Sequence, residues 1–205
     1  MLYFILAICI SYLLGSIPTS YIIAKLLKGI DIREHGSGNV GATNLMRTVG
    51  RLPGVIGFLL DAGKGAVPVI LFAHIFYEPT IAVSEPMFKV AMGLAAVCGH
   101  IWTLFLKFKG GKGVATTIGV FIGLAPMISV IGLLVWLAVV LIFRYVSLGS
   151  IIMAAVLPFL MVFFNKPNEY IFLSAVLCIF ILYSHRPNIR RLLSGKEYKI
   201  GQPKK

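Results

Sequence analysis

Thirty-one consecutive residues, Gly113 to Phe143, carry no charge, and no other stretch constrains the fold as much. As one straight helix the run would measure about 47 Å, against a hydrocarbon core of roughly 30 Å. Divided near Ala125 and Pro126, it gives two helices of roughly 24 Å each if the halves are equal. Both would be short for a span and would need a thinned bilayer or burial behind neighbours. Apolar runs also fill most of the remaining chain: 59% of its 205 residues are hydrophobic and only 13% are charged. With a mean hydropathy of +0.94 the chain reads as an integral membrane protein. It reads as all-α, because nothing alternates as the strands of a membrane barrel do.

The positive-inside rule sets the threading. Leu2 to about Ala24 lacks a basic n-region and is longer than a signal-peptide core, so it is expected to remain as the first helix. Lys25 and Lys28 place its end in the cytoplasm and the N-terminus outside. A second helix, about Leu52 to Tyr77, runs out to a link with Glu78 and Glu85; a third, about Met87 to Phe108, returns to Lys107, Lys109 and Lys112. Beyond Arg144 lie two more spans, about Val146 to Phe164 and Asn168 to Ser184. If the uncharged run crossed once, Arg186, Arg190, Arg191, Lys196 and Lys199 would end up outside, against the rule. If it crosses twice, they face the cytoplasm with Arg144.

The expectation is therefore a polytopic membrane helical bundle of seven transmembrane helices, two short ones at the centre. Residues 1–205 form a single integral membrane domain with no internal repeat and a disordered end from Gly201 to Lys205. Cys9, Cys98 and Cys178 fall in apolar runs and read as small packing residues. The net charge of +12 is explained by topology and anionic headgroups, without nucleic acid as a partner.

Three polar segments interrupt the apolar chain: GSGNVGATNLMRTVG (Gly36 to Gly50), KGGKGVATT (Lys109 to Thr117) and HRPNIRRLLSGKE (His185 to Glu197). In the first, Gly36, Gly38 and Gly41 permit backbone in which successive N–H groups converge on an anion. Ser37, Asn39, Thr43 and Asn44 add side-chain donors, and Arg47 adds a fork suited to phosphate; a plain Gly-rich turn is the alternative. In the second, Gly110, Gly111 and Gly113 can expose the N–H groups of a helix N-terminus, with Lys112 supplying charge. Gly113 stands where a Walker A loop needs Ser or Thr, so ATP hydrolysis is discounted. In the third, Ile189, Leu192 and Leu193 form the stripe of a short amphipathic helix lying on the membrane. His185 and Asn188 sit at its junction with the last span, where His185 can bind phosphate or act as a base. Glu197 reads as a structural partner for arginine.

Asp61 and Lys64, three apart on the second helix, are expected to pair beside the site. His100 reads as a hydrogen-bonded core residue and His74 as interfacial. Ser147 and Ser150, near Arg144, can cap a helix or reach the site. No histidine pair has metal-ligand spacing, so no metal is expected, and there is no G-x-S-x-G elbow for a serine hydrolase.

Taken together, the three segments resemble the bacterial acyl-phosphate:glycerol-3-phosphate acyltransferases, whose motifs are similar to GSGN-x-GATN-x-x-R, GGKG and HR-x-NI-x-RL-x-x-G-x-E. Gly36 to Arg47, Gly110 to Gly113 and His185 to Glu197 match in order. Thr103 stands where that family usually has proline. The resemblance implies transfer of a fatty acyl group from acyl phosphate to the 1-hydroxyl of sn-glycerol 3-phosphate at the bacterial inner membrane, with no cofactor. Acyl phosphate, glycerol phosphate and membrane lipids are the partners. Arg47, Lys112, His185 and Asn188 are then expected on the glycerol phosphate; Ser150, from its place near Arg144, is counted as a further substrate-binding candidate. Ser37, Thr43 and the Gly110 to Gly113 backbone are expected on the acyl phosphate, and Gly36, Gly38, Asn39 and Asn44 of the first loop are expected to bind substrate as well. Either His185 or a substrate phosphate takes the hydroxyl proton. The competing reading is a transporter or channel for a phosphorylated anion, which would expose its site to both faces in turn.

Overall fold

The structure, a computed structural model, describes residues 1–79 and 82–201. The expected disorder from Gly201 to Lys205 falls, apart from Gly201, outside the described residues. Every regular element among them is helical, and they divide into two compact units, Met1–Leu124 and Ala125–Lys205.

In the first unit the opening apolar stretch is broken into α1 (Leu2–Ser16) and α2 (Thr19–Lys28). Pro18 causes the break: it has no N–H for the Leu14 carbonyl and holds Ile17 at ψ 116. Within a bilayer, carbonyls released in this way have no water to turn to. Thr103 Oγ1 donates to the Ser16 carbonyl, and Lys64 Nζ donates to that of Ile17 at 2.9 Å.

A 3-10 turn at Ile32–Glu34 leads to α3 (Ala42–Thr48) and α4 (Arg51–Val67), which runs through a π-helical turn, Pro68–Phe72, into α5 (Ala73–Phe76). That wide turn begins at Pro68, where one donor is missing. α6 (Glu85–Ile101) starts under Ser84, whose Oγ accepts the Met87 N–H at 3.3 Å. It stops seven residues short of the expected Phe108: Trp102 leaves helical geometry and a 3-10 turn, Leu104–Leu106, follows. α7 (Val114–Leu124) lies close against α4, since a Cβ on Gly65 would strike the Thr116 carbonyl and one on Gly119 would strike that of Ala62. Close backbone approach of this kind is how helices associate in lipid.

Two buried clusters hold the ends of this unit. Ala7, Ala73, Phe88 and Met92 form one, with the Phe4 and Tyr77 rings 5.1 and 5.5 Å from that of Phe88. Ala24, Ile32, Val40, Leu45 and Leu106 form the other. Val40 and Leu45 belong to the first glycine-rich segment and Leu106 leads into the second, so this cluster brings both segments together.

In the second unit α9 (Val146–Phe163) packs against α8 (Pro126–Phe143) and α10 (Asn168–Ser184). α11 (Arg186–Leu193) turns away from α10 by 61°. Among the described residues, five helical runs are long and apolar enough to cross a membrane, six if α10 and α11 count as one bent span. The uncharged run does part at Ala125 and Pro126, but unevenly: α7 has 11 residues and α8 has 18. The chain is a multi-pass membrane helical bundle.

Candidate active site

The first glycine-rich loop is organised from within by Asn44, which is 1% exposed. Its Oδ1 accepts the Ser37 N–H at 2.8 Å, and its Nδ2 lies 2.9 Å from the His35 and Asn39 carbonyls and 3.2 Å from that of Ile32. Gly36 and Gly38 take φ of 64 and 71, turns that bring those groups inward. The Gly38 N–H donates to the His35 carbonyl at 3.0 Å. Two of the amides expected to face an anion are thus committed inside the loop. What the loop presents at its surface is the Ser37 side chain and, from α3, Arg47, both exposed, with Thr43 and Asn39 half-buried. Outside the membrane segments, Arg33 holds the Asp31 carboxyl down to about 2 by hydrogen bonds and charge, with Nη2 2.6 Å from Oδ2.

The second loop reverses direction at Lys107 and Phe108, both at positive φ (53 and 61). It then runs back along the end of α6. The Gly110 N–H donates to the Ile101 carbonyl and the Gly111 N–H to that of His100, each at 3.0 Å. These amides close the C-terminus of α6 and do not open toward an anion. Gly113, at φ 82, swings the chain into α7, and Lys112 projects, half-buried, just before it. Thr103 has φ −66, a value proline also takes, so the turn keeps the shape proline would give while the hydroxyl gains the Ser16 carbonyl.

Behind these loops lies a buried polar cluster. Asp61 Oδ1 is 2.8 Å from Lys64 Nζ, 3.6 Å from His100 Nδ1, and accepts a hydrogen bond from Thr19 Oγ1 at 2.6 Å. The expected Asp61–Lys64 pair is present, and His100 has joined it. A narrow cleft bordered by Ser16, Thr19, Lys64, His100, Val40 and Gly111 connects the cluster to both loops.

In the second unit the organising residue is Glu197, 8% exposed. Its Oε1 accepts from Asn188 Nδ2 at 2.8 Å and from Ser147 Oγ at 3.0 Å, and its Oε2 accepts from Arg191 Nε at 2.7 Å. Ser147 is thereby tied to the third segment. Ser150 Oγ donates to the Val146 carbonyl at 3.0 Å and accepts from Trp136 Nε1 at 3.3 Å, so its hydroxyl is used in joining α8 to α9. His185, 3% exposed, faces Nδ1 toward the Ile181 carbonyl at 2.8 Å. A carbonyl can only accept, so Nδ1 carries a proton.

The first unit thus gathers Ser37, Thr43, Arg47 and Lys112 around two packed loops, and the second gathers Asn188, Ser147 and Arg191 around Glu197, with His185 just before α11. Sequence reasoning named these residues, yet it missed that Asn44, Gly110 and Gly111 spend their polar groups on neighbouring backbone. It also missed the link from Asp61 to His100. The signal for that link was two ionisable groups in apolar runs, which must find partners. Among the described residues, no three His, Cys, Asp or Glu side chains are grouped to hold a metal ion.

Comparison with known proteins finds similarity over nearly the full length of the chain. The family model described as glycerol-3-phosphate acyltransferase matches residues 5–195. Glycerol-3-phosphate acyltransferase 2 of Moorella thermoacetica is 46% identical over 198 residues, covering 97% of this chain and 98% of its own. Glycerol-3-phosphate acyltransferase of Desulforamulus reducens is 45% identical over 194 residues, covering 95% and 94%. The crystal structure of PlsY, an integral membrane glycerol 3-phosphate acyltransferase, superposes in its glycerol 3-phosphate form with a TM-score of 0.89 at 40% identity, covering 97% of this chain and 96% of that one. Its lysophosphatidic acid form gives 0.87. The chain belongs to the glycerol-3-phosphate acyltransferase family and is a membrane enzyme that acylates glycerol 3-phosphate.

Proposed function

We propose that the acyl group comes from acyl phosphate and goes to the 1-hydroxyl of sn-glycerol 3-phosphate, giving lysophosphatidic acid and phosphate, the first step of phospholipid synthesis. The observation that carries the reading is the His185 ring. With Nδ1–H held by the Ile181 carbonyl, the lone pair of the neutral imidazole lies on Nε2. Nε2 takes the proton as the 1-hydroxyl oxygen bonds to the acyl carbon; the bond from that carbon to the phosphate oxygen then breaks, and phosphate leaves with the electron pair. Arg47, Lys112 and Asn188, the last oriented by Glu197, bind the glycerol phosphate. Ser37, Thr43 and the start of α7, whose dipole favours an anion, bind the acyl phosphate. Gly110, Gly111 and Asn44 support these residues through the backbone. Positioning of this kind is worth up to roughly 7–11 kcal/mol, and the donor already has a good leaving group.

Residues 1–205 act as one domain in the bacterial inner membrane. The N-terminus is outside, the reaction faces the cytoplasm, and α7 counts as the short member of seven crossings. Lys25, Lys28, Lys112, Arg144 and Arg190 then lie on the cytoplasmic side, as the positive-inside rule requires. Single cysteines placed at Glu78 and Lys196 test the threading: labelling of both from the same face overturns it.

The reaction is tested by phosphate release from purified protein given acyl phosphate and glycerol phosphate. No release across acyl chain lengths and detergents overturns the reading. In His185→Gln, kcat falls by about 10²–10⁴. Substantial turnover with a raised KM instead makes His185 a binding residue and leaves the proton to a substrate phosphate.

A further inference from the structure

Gly111 is not one of the glycines at positive φ, so its backbone would accept alanine. What requires glycine there is His100: a Cβ on Gly111 would run into His100 Nε2. The same histidine receives the Gly111 N–H on its own carbonyl at 3.0 Å. Gly111 is therefore gripped twice by one residue, once through the main chain and once by the face it offers the imidazole. The other ring nitrogen, Nδ1, lies 3.6 Å from Asp61 Oδ1. That carboxylate is fixed by Lys64 at 2.8 Å and by Thr19 at 2.6 Å. His100 is 6% exposed and Asp61 2%, so neither reaches the surface where the loops present their cations. The chain of contacts runs from α2 and α4, through Asp61 and His100, to Gly111 and the residue bonded to it, Lys112.

We propose that His100, backed by Asp61, is a positioning residue that fixes the Gly111 backbone and through it the placement of the Lys112 ammonium. The proposal rests on the reading of Lys112 as a ligand of glycerol phosphate. It differs from the general importance of a buried polar cluster in one respect: the fault it predicts on loosening is a misplaced cation, seen in substrate binding before it is seen in turnover or stability. A displacement near 1 Å at a substrate-positioning group can cost on the order of a hundredfold.

The test is a mutant cycle in the full-length protein in lipid, with glycerol phosphate varied at saturating acyl phosphate and folding followed by thermal unfolding. Gly111→Ala raises KM for glycerol phosphate about tenfold with kcat within about threefold. His100→Asn, which keeps an N–H for Asp61 but is shorter toward Gly111, does likewise. Combined, the smaller side chain makes room for the new methyl, and KM is no higher than in either single variant; a multiplied rise near a hundredfold overturns the proposal. Should His100→Asn fail to fold, Thr19→Val removes one tether of the Asp61 carboxylate and loosens the ring while leaving the pair with Lys64 in place, and in a Lys112→Ala background it adds nothing further to KM. A multiplied rise there also overturns the proposal. Lys112→Ala alone separates the two ideas: an unchanged KM removes Lys112 from the site, whereas a raised KM without relief in the double variant rejects only the role of His100.

Discussion

Asn188 and Ser147 donate to the same oxygen of Glu197, at 2.8 and 3.0 Å, one from α11 and the other from the start of α9. Arg191 takes the second carboxylate oxygen at 2.7 Å. The carboxylate is thus the common acceptor that orients Asn188 and joins the amphipathic helix to the span beneath it.

Replacing Glu197 by alanine removes the carboxylate shared by two buried donors, Asn188 and Ser147, and by the half-buried Arg191. Hydrogen bonds to a charged group are worth about 1.5–3 kcal/mol each, so the variant is expected to lose about 3 kcal/mol or more of stability and nearly all activity. Glu197→Gln keeps one acceptor and should lie between. Thermal unfolding in detergent with parallel phosphate-release assays checks both; a normally stable, fully active alanine variant would refute the hub.

Asn44→Ala removes the acceptor of the Ser37 N–H and the donor facing three carbonyls. Each buried group left unpaired costs about 1–3 kcal/mol. The expected result is a protein that loses both phosphate-bearing substrates together as the loop opens. Asn44→Asp, able to accept but not to donate, should recover less than half of the lost stability. Limited proteolysis between Asp31 and Gly50 reads the opening.

Lys64→Met leaves the Asp61 charge buried beside Thr19 and the more distant His100, and takes a donor from the Ile17 carbonyl. Breaking a buried pair by removing one partner costs about 3–5 kcal/mol. Unfolding midpoints of Lys64→Met and wild type are the comparison; a shift of only a degree or two would show that the pair holds little together.

Asp31 is half-buried and paired with Arg33, which lowers its pKa to about 2. A carboxyl with a depressed folded pKa contributes above its unfolded value near 3.8 and loses that contribution as pH falls through about 2. The pair therefore stays intact throughout the neutral range. Asp31→Asn should leave the pH–rate profile above pH ~5 unchanged; a displaced limb in that range would place Asp31 in the reaction.

The apolar runs located most helices: the division at Ala125 and Pro126 and the limits of α10 at Asn168 and Ser184 follow directly from where charge and proline stop a span. The break at Pro18 is invisible in hydropathy, which is continuous over Leu2–Lys28, and proline alone does not decide it, since Pro158 sits inside the unbroken α9. At the site, residue types were legible and the destinations of their polar groups were not. Glycines at 110 and 111 look the same on paper whether their amides face a phosphate or, as here, the carbonyls of Ile101 and His100. Likewise Asn44 reads as a donor toward solvent, and only packing across five to twelve residues of chain turns its amide inward. Long-range partners such as Asp61 and His100 depend on which helices become neighbours, which hydropathy does not encode.

The Pro18 break also ties the first span to later ones. Its Ser16 and Ile17 carbonyls are met by side chains that come 87 and 47 residues further on, Thr103 and Lys64, so the first hydrophobic stretch completes its hydrogen bonding only when the helices carrying those residues have packed beside it.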